Sequence, residues 1–277
     1  MMPLVLLLCL SFAGLLGLRL LRQRRKRRLL NAPPDPAWES ILRRFVPPFA
    51  RLDVALRRRL YGKMHVFLSD KRFEGCGGLE LTEEIKVVVA AEACLLLLGR
   101  EDDRVYPDLK TVLVYPEAYR SGKRGLFGGD NGTGGRLGES WGSGVVVLSW
   151  NGVRTGALDP NDGHNVVFHE FAHQLDQEDG RADGVPILAP AGSYALWAKT
   201  FRHDYERLVA QVARRRPDVL DAYGATDPAE FFAVATETFF EKPRQLRERH
   251  PELFDELRAY YALDPETWKS LPEKETP

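Results

Sequence analysis

The chain has 277 residues, 44% hydrophobic and 28% charged, an ordinary composition for a folded chain of one large domain or two small ones. Its formal net charge is zero, yet seven positive charges and no acid fall in the first thirty residues, which leaves the remainder at −7. A mildly acidic body argues against a general nucleic-acid binder, and three cysteines (Cys9, Cys76, Cys94) supply neither a disulfide framework nor a CxxC metal knuckle.

The first element in chain order is the uncharged apolar run Pro3–Leu18, closed by Arg19 and followed by RLLRQRRKRR. A spanning helix needs about 20 residues, with about 17 as the lower limit, so this segment qualifies only if Arg19 snorkels to the interface. A cleaved signal peptide would carry its positive charge before the apolar core, and here the order is reversed. The pattern therefore predicts a single membrane anchor over residues 1–21. The basic flank would keep the body on the cytoplasmic side of the inner membrane. Residues 22–36, basic and then Pro-rich (NAPPDP), read as a linker, and residues 37–277 as the functional domain.

Helical patterns follow over Ala37–Phe45 and Arg51–Leu68. Thr82 reads as the N-cap of a third helix with Glu83 and Glu84 in its first turn and Gly99 past its end. Two β-branched runs, Thr111–Tyr115 and Gly144–Trp150, read as strands, and the latter is a candidate edge strand for holding a substrate backbone. The glycine-rich stretch Gly122–Gly144 between them lacks a phosphate-loop signature and reads as a surface loop. Beyond Asp162 the chain reads as helix over Gly163–Asp176, Ser193–Arg215, Pro228–Glu241 and Pro251–Tyr261. Helices around a few strands predict an α+β domain, mainly helical with a small sheet.

The chemistry concentrates in His169-Glu170-Phe171-Ala172-His173. On a helix, positions i and i+4 share a face, so both imidazoles can reach one zinc ion while Glu170 sits beside it as a general base. A catalytic zinc wants a third protein ligand and an open position for water. Glu230 is one candidate. Its alternative is a capping role, because Asp227-Pro228-Ala229-Glu230 has capping-box spacing. Glu237, two turns on and nearly in phase, is the rival ligand. Asp176 is a candidate acceptor for the second nitrogen of a ligand histidine. His164, five residues before the motif, falls off its face and reads as structural; His65, His203 and His250 lack partners at ligand spacing, and His250 marks a helix boundary.

The stretches NVVFHEFAHQLDQEDGRADGVP and YGATDPAEFFAVATETFFE resemble the Mlc titration factor A family of zinc peptidases. HEFAHQLD is also similar to the catalytic domain of anthrax lethal factor. The resemblance spans roughly Ala50–Leu263 and implies a zincin-like domain with one zinc held by His169, His173 and Glu230. It also implies that Tyr223, seven residues before Glu230, assists catalysis. It implies a peptide or protein substrate and hydrolysis by a zinc-activated water. The alternative it leaves open is a regulatory factor that sequesters a transcriptional repressor, with peptidase activity secondary. Direct nucleic-acid binding is not expected.

Overall fold

Short polar side chains set where the helices begin. The computed structural model describes residues 2–100, 102–117, 144–188 and 193–270. A long helix α1 (Met2–Leu30) leads into α2 (Pro36–Phe45), where Asp35 accepts from Ala37 N at 2.9 Å. The expected helix Arg51–Leu68 is two pieces, α3 (Pro48–Arg51) and α4 (Val54–Asp70). The break is caused by Asp53, whose carboxylate accepts from Leu56 N at 2.8 Å and starts α4 afresh. Thr82 caps α5 (Glu83–Leu95) as expected, accepting from Ile85 N at 3.3 Å.

The sheet has three parallel strands in the order β1 (Arg72–Gly75), β2 (Thr111–Tyr115), β3 (Val145–Ser149). Thr111 stands between Arg72 and Val145. Val112, Val114, Val146 and Leu148 are fully buried, so one face of the sheet lies in the core. β1 is only four residues long, RFEG, too short for a period-two pattern to show in the sequence. Ser149 ends β3 and caps α6 (Trp150–Leu158) by accepting from Gly152 N at 3.0 Å, so the strand expected over Gly144–Trp150 stops one residue short of Trp150. The glycine-rich stretch before β3 lies outside the described residues, apart from Gly144.

The remaining helices are α7 (Val166–Asp176), α8 (Ser193–Ala213), α9 (Pro228–Glu241), α10 (Pro243–Arg249) and α11 (Pro251–Tyr261). A two-stranded ribbon, β4 (Leu263–Asp264) with β5 (Lys269–Ser270), follows them. α7 is anchored through its apolar face. The Phe171 ring lies 4.7 Å from Tyr106 and 5.6 Å from Phe67, and Phe168 lies 5.2 Å from Phe240 on α9. The expected class, a mainly helical body with a small sheet, is what the fold has.

The expected membrane anchor is corrected. Among the described residues no helix is long and apolar enough to cross a membrane. The uncharged run Pro3–Leu18 is sixteen residues long. At 1.5 Å per residue that is about 24 Å of helix, against a hydrocarbon core of about 30 Å. The single-pass inner-membrane location falls with it. The basic segment expected as linker is helical through Leu30, and its end lies against α4. Arg25 donates to Ser69 and lies 3.8 Å from Asp70. A Cβ at Gly62 of α4 would come within 2.4 Å of the Leu30 carbonyl oxygen.

This close approach yields a sign-inverting prediction. In an isolated helix Gly→Ala gains about 0.8–1 kcal/mol. Here Gly62→Ala forces backbone apart and is expected to destabilise the protein by about 1–3 kcal/mol. Urea unfolding should show a lower midpoint at an unchanged slope. A higher midpoint would mean that α1 does not pack closely on α4.

Candidate metal centre

Asn165 builds the start of the site. Its Oδ1 accepts from Val167 N and Phe168 N, both at 3.0 Å, which caps α7 and fixes the phase of everything after it. That phase turns Phe168, Phe171 and Ala172 into the core and His169, Glu170 and His173 toward α9, all of them buried. The sequence reading began this helix at Gly163 and passed over Asn165, although an Asn directly before an apolar periodic run is an N-cap signal.

α9 supplies the facing carboxylates. Asp227 accepts from Glu230 N at 2.9 Å, so the cap of α9 forms as the spacing predicts. The Glu230 side chain does not return to the cap. Its Oε2 lies 3.0 Å from His169 Nε2 and 3.4 Å from His173 Nε2, and the two imidazole nitrogens are 3.2 Å apart. Donor atoms of His169, His173 and Glu230 all lie within 4.8 Å of one another, the geometry of a group that can hold one metal ion. Glu230 Oε2 is buried yet makes no well-formed hydrogen bond, because the three groups point at a shared centre rather than at each other.

Glu237, weighed as a rival ligand, stands on the far side of His169. Its Oε1 is 2.7 Å from His169 Nδ1, and its Oε2 accepts from Asn165 N at 2.6 Å. That contact puts the His169 proton on Nδ1 and leaves the Nε2 lone pair for the centre. Asp176 does not take the part considered for it. It is fully buried, but its Oδ2 accepts from Gly184 N at 3.0 Å. Gly184 has φ +77, and a Cβ there would meet the Pro228 carbonyl oxygen at 2.3 Å, so Asp176 holds the chain that braces the first turn of α9.

Tyr223 lies in a short 3-10 turn, Ala222–Ala225, with its ring 5.9 Å from the His169 ring. Burial, together with the Glu230 charge, pushes its hydroxyl pKa upward, so it remains a proton donor. Burial would raise the Glu230 carboxyl, but the imidazoles of His169 and His173 facing it outweigh that and hold the group down to about 2. Burial pushes Glu170 up to about 7, with His169 opposing and the charges of Glu230 and Glu237 adding. Burial also lowers His173, while His169 is raised because Glu230 and Glu237 overcome its desolvation. Glu92, buried beneath the site, accepts from Asn165 Nδ2 at 3.0 Å and was not singled out from the sequence.

A family model described as glucose-regulated metallo-peptidase M90 matches residues 20–262. An uncharacterized protein of Synechocystis sp. is 42% identical over 246 residues, 87% of this chain and 89% of its own length. Mlc titration factor A of Klebsiella pneumoniae is 34% identical over 242 residues, 82% of this chain and 86% of its own length. The protein of that name from Escherichia fergusonii is 32% identical, covering 83% of this chain and 87% of its own length.

Metal analysis tests the centre. Wild-type protein is expected to hold about one zinc per chain, and His169→Ala and His173→Ala to lose most of it. Glu230→Gln should weaken retention at least about tenfold, and Glu237→Gln by about 10–100-fold through the misoriented imidazole. Loss of a helix cap alone costs about 1 kcal/mol and leaves the metal bound. Full zinc in Glu230→Gln would return that residue to a capping role.

Proposed function

The chain belongs to the glucose-regulated metallopeptidase M90 family, and from that membership we propose that it is a zinc peptidase with Glu170 as its general base. The observation that carries this reading is the convergence of His169, His173 and Glu230 donor atoms within 4.8 Å. Two imidazoles and one carboxylate are the three-ligand set of catalytic zinc, with a position left for water. The buried, unbonded Oε2 of Glu230 is the acceptor such a cation takes up. When bound, zinc supplies Lewis acidity to the attacking water and the scissile carbonyl.

The chain's own residues do the rest. Glu237 keeps the proton of His169 at Nδ1, 2.7 Å away, and so orients the ring. The Glu170 carboxylate takes the proton of the attacking water and passes it to the leaving amine nitrogen. The Tyr223 hydroxyl donates to the oxyanion of the tetrahedral intermediate. β3 pairs only with β2 among the described residues, and its other edge is our candidate to hold the substrate backbone.

A second reading rests on the relatives' name, Mlc titration factor A. In this reading the chain also binds a transcriptional regulator and removes it from use, with peptide cleavage secondary. A pull-down with Glu170→Gln, which keeps the surface and removes the base, captures such a partner in the second reading and no regulator in the first.

Glu170→Gln is expected to keep its zinc while peptide hydrolysis falls at least about a hundredfold. Tyr223→Phe should cost about 10²–10³ in kcat if its hydroxyl is an oxyanion donor. A chelator should abolish cleavage, and added zinc should restore it. Turnover unchanged in Glu170→Gln would remove the general-base assignment.

A further inference from the structure

His250 forms a second buried charge cluster, away from the metal centre. It stands at the junction of α10 and α11, and its side chain is fully buried. Its backbone is fixed: its N–H donates to the Leu246 carbonyl at 2.7 Å, and its carbonyl accepts from Phe254 N at 2.9 Å. Both ring nitrogens face carboxylates. Nδ1 lies 2.7 Å from Asp204 Oδ1 on α8, and Nε2 lies 2.7 Å from Asp218 Oδ1. An imidazole facing two carboxylates donates to both only as imidazolium. Burial opposes that charge, but the two carboxylates outweigh it and raise the pKa, while His250 in turn helps hold Asp218 down to about 2. The other charged groups facing the cluster lie on α8: Arg207 Nη1 and His203 Nδ1, each 3.9 Å from Asp204 Oδ1. Arg207 also donates to the Arg249 carbonyl at 3.0 Å.

Asp218 is the one member of the cluster that lies neither in a helix nor at a helix junction. The chain leaves α8 through Arg215 at φ +54 and runs exposed through Pro217. Asp218 is its first anchored side chain. Its Oδ1 accepts from Val219 N at 2.7 Å and Leu220 N at 3.2 Å as well as from His250. Three residues on, Asp221 accepts from Tyr223 N at 2.7 Å and starts the turn that aims Tyr223 at the metal centre. Tyr223 thus sits on a single 3-10 turn, and the connection that leads into that turn is tied down through Asp218.

We propose that His250, clamped as imidazolium between Asp204 and Asp218, is a positioning residue that fixes the 218–225 segment and thereby sets Tyr223 against the metal centre. The proposal rests on the peptidase reading only for its effect on catalysis. The clamp carries a rigid reference, the junction of two helices, to the connection that leads from α8 into the short 3-10 turn bearing Tyr223. A residue held this way acts through geometry, and small displacements of a donor at a reacting centre cost rate by about 10²-fold.

The experiment combines amide hydrogen exchange with kinetics on His250→Gln, on Tyr223→Phe and on the double variant. Asp218→Asn serves as a second, milder disruption in case His250→Gln does not fold. Exchange over residues 218–226 should accelerate at least about tenfold, with α7 amides and zinc content unchanged. kcat should fall about ten- to hundredfold in His250→Gln, and no further loss should appear when it is added to Tyr223→Phe. Unchanged exchange over 218–226 overturns the clamp. Faster exchange with losses that multiply in the Tyr223→Phe background makes His250 a stability residue and overturns its positioning role. A wild-type protein that holds zinc but cleaves no peptide overturns the peptidase reading instead, and the exchange result by itself then upholds or overturns the clamp.

Discussion

Glu237 ties α9 to α7 with both of its oxygens, one on the backbone of Asn165 at 2.6 Å and one on the ring of His169 at 2.7 Å. Those two residues lie about one helical turn apart, so a single carboxylate pins the start of α7 and its first metal-facing imidazole to the same point of α9. The contact is buried, and Glu237 is held there against a desolvation that raises its pKa. A charge buried this way is retained only where its hydrogen bonds are complete. With Glu237 in place, the residue two turns earlier on α9 must face the same imidazole from the other side, and that residue is Glu230.

The first turn of α9 is braced independently. Asp227 takes the Glu230 backbone N–H, and Asp176, at the end of α7, holds Gly184 against the Pro228 carbonyl. Trp197 Nε1 donates to the Gly184 carbonyl at 3.1 Å, which adds α8 to the brace. The cap satisfies the backbone and leaves the Glu230 side chain free to face His169 and His173. Its carboxylate is low in pKa and its Oε2 is buried without a hydrogen bond, as expected of a group shaped to meet a cation. Two further carboxyl groups, those of Glu170 and Glu237, are buried around the same histidines, and burial raises the pKa of each.

The N-terminal helix shows how an apolar run followed by positive charge misleads when its length is at the lower limit for a span. The apolar run and the basic run belong to one helix, α1, and its basic end lies against α4. Residues from 20 onward match the family model, so this basic end lies within the shared body of the family. Positive charge after an apolar run looks like a membrane flank, but the same side chains also serve as exposed helix surface, with Arg25 reaching Ser69 and Asp70.

Much of the site was written locally. The pairing of His169 with His173 follows from helix periodicity, and the caps at Thr82 and Asp227 follow from side chains that reach only three residues, so all were legible in the sequence. The strand Thr111–Tyr115 was legible from its β-branched run, and so was the strand expected over Gly144–Trp150, which forms over Val145–Ser149. The choice between Glu230 and Glu237 was not. Seven residues are two turns short of only about 20°, so both side chains share one face and no local rule separates them. The parts of Asp176 and His250 were hidden for the same reason, because each is defined by a partner on another element: Gly184 for one, Asp204 and Asp218 for the other. The sequence by itself determined which residues can bind a metal and which helix faces carry them. Only the tertiary structure decided which carboxylate meets the histidines and which stands behind them, because that depends on the rotation of α9 against α7, a quantity with no local signature.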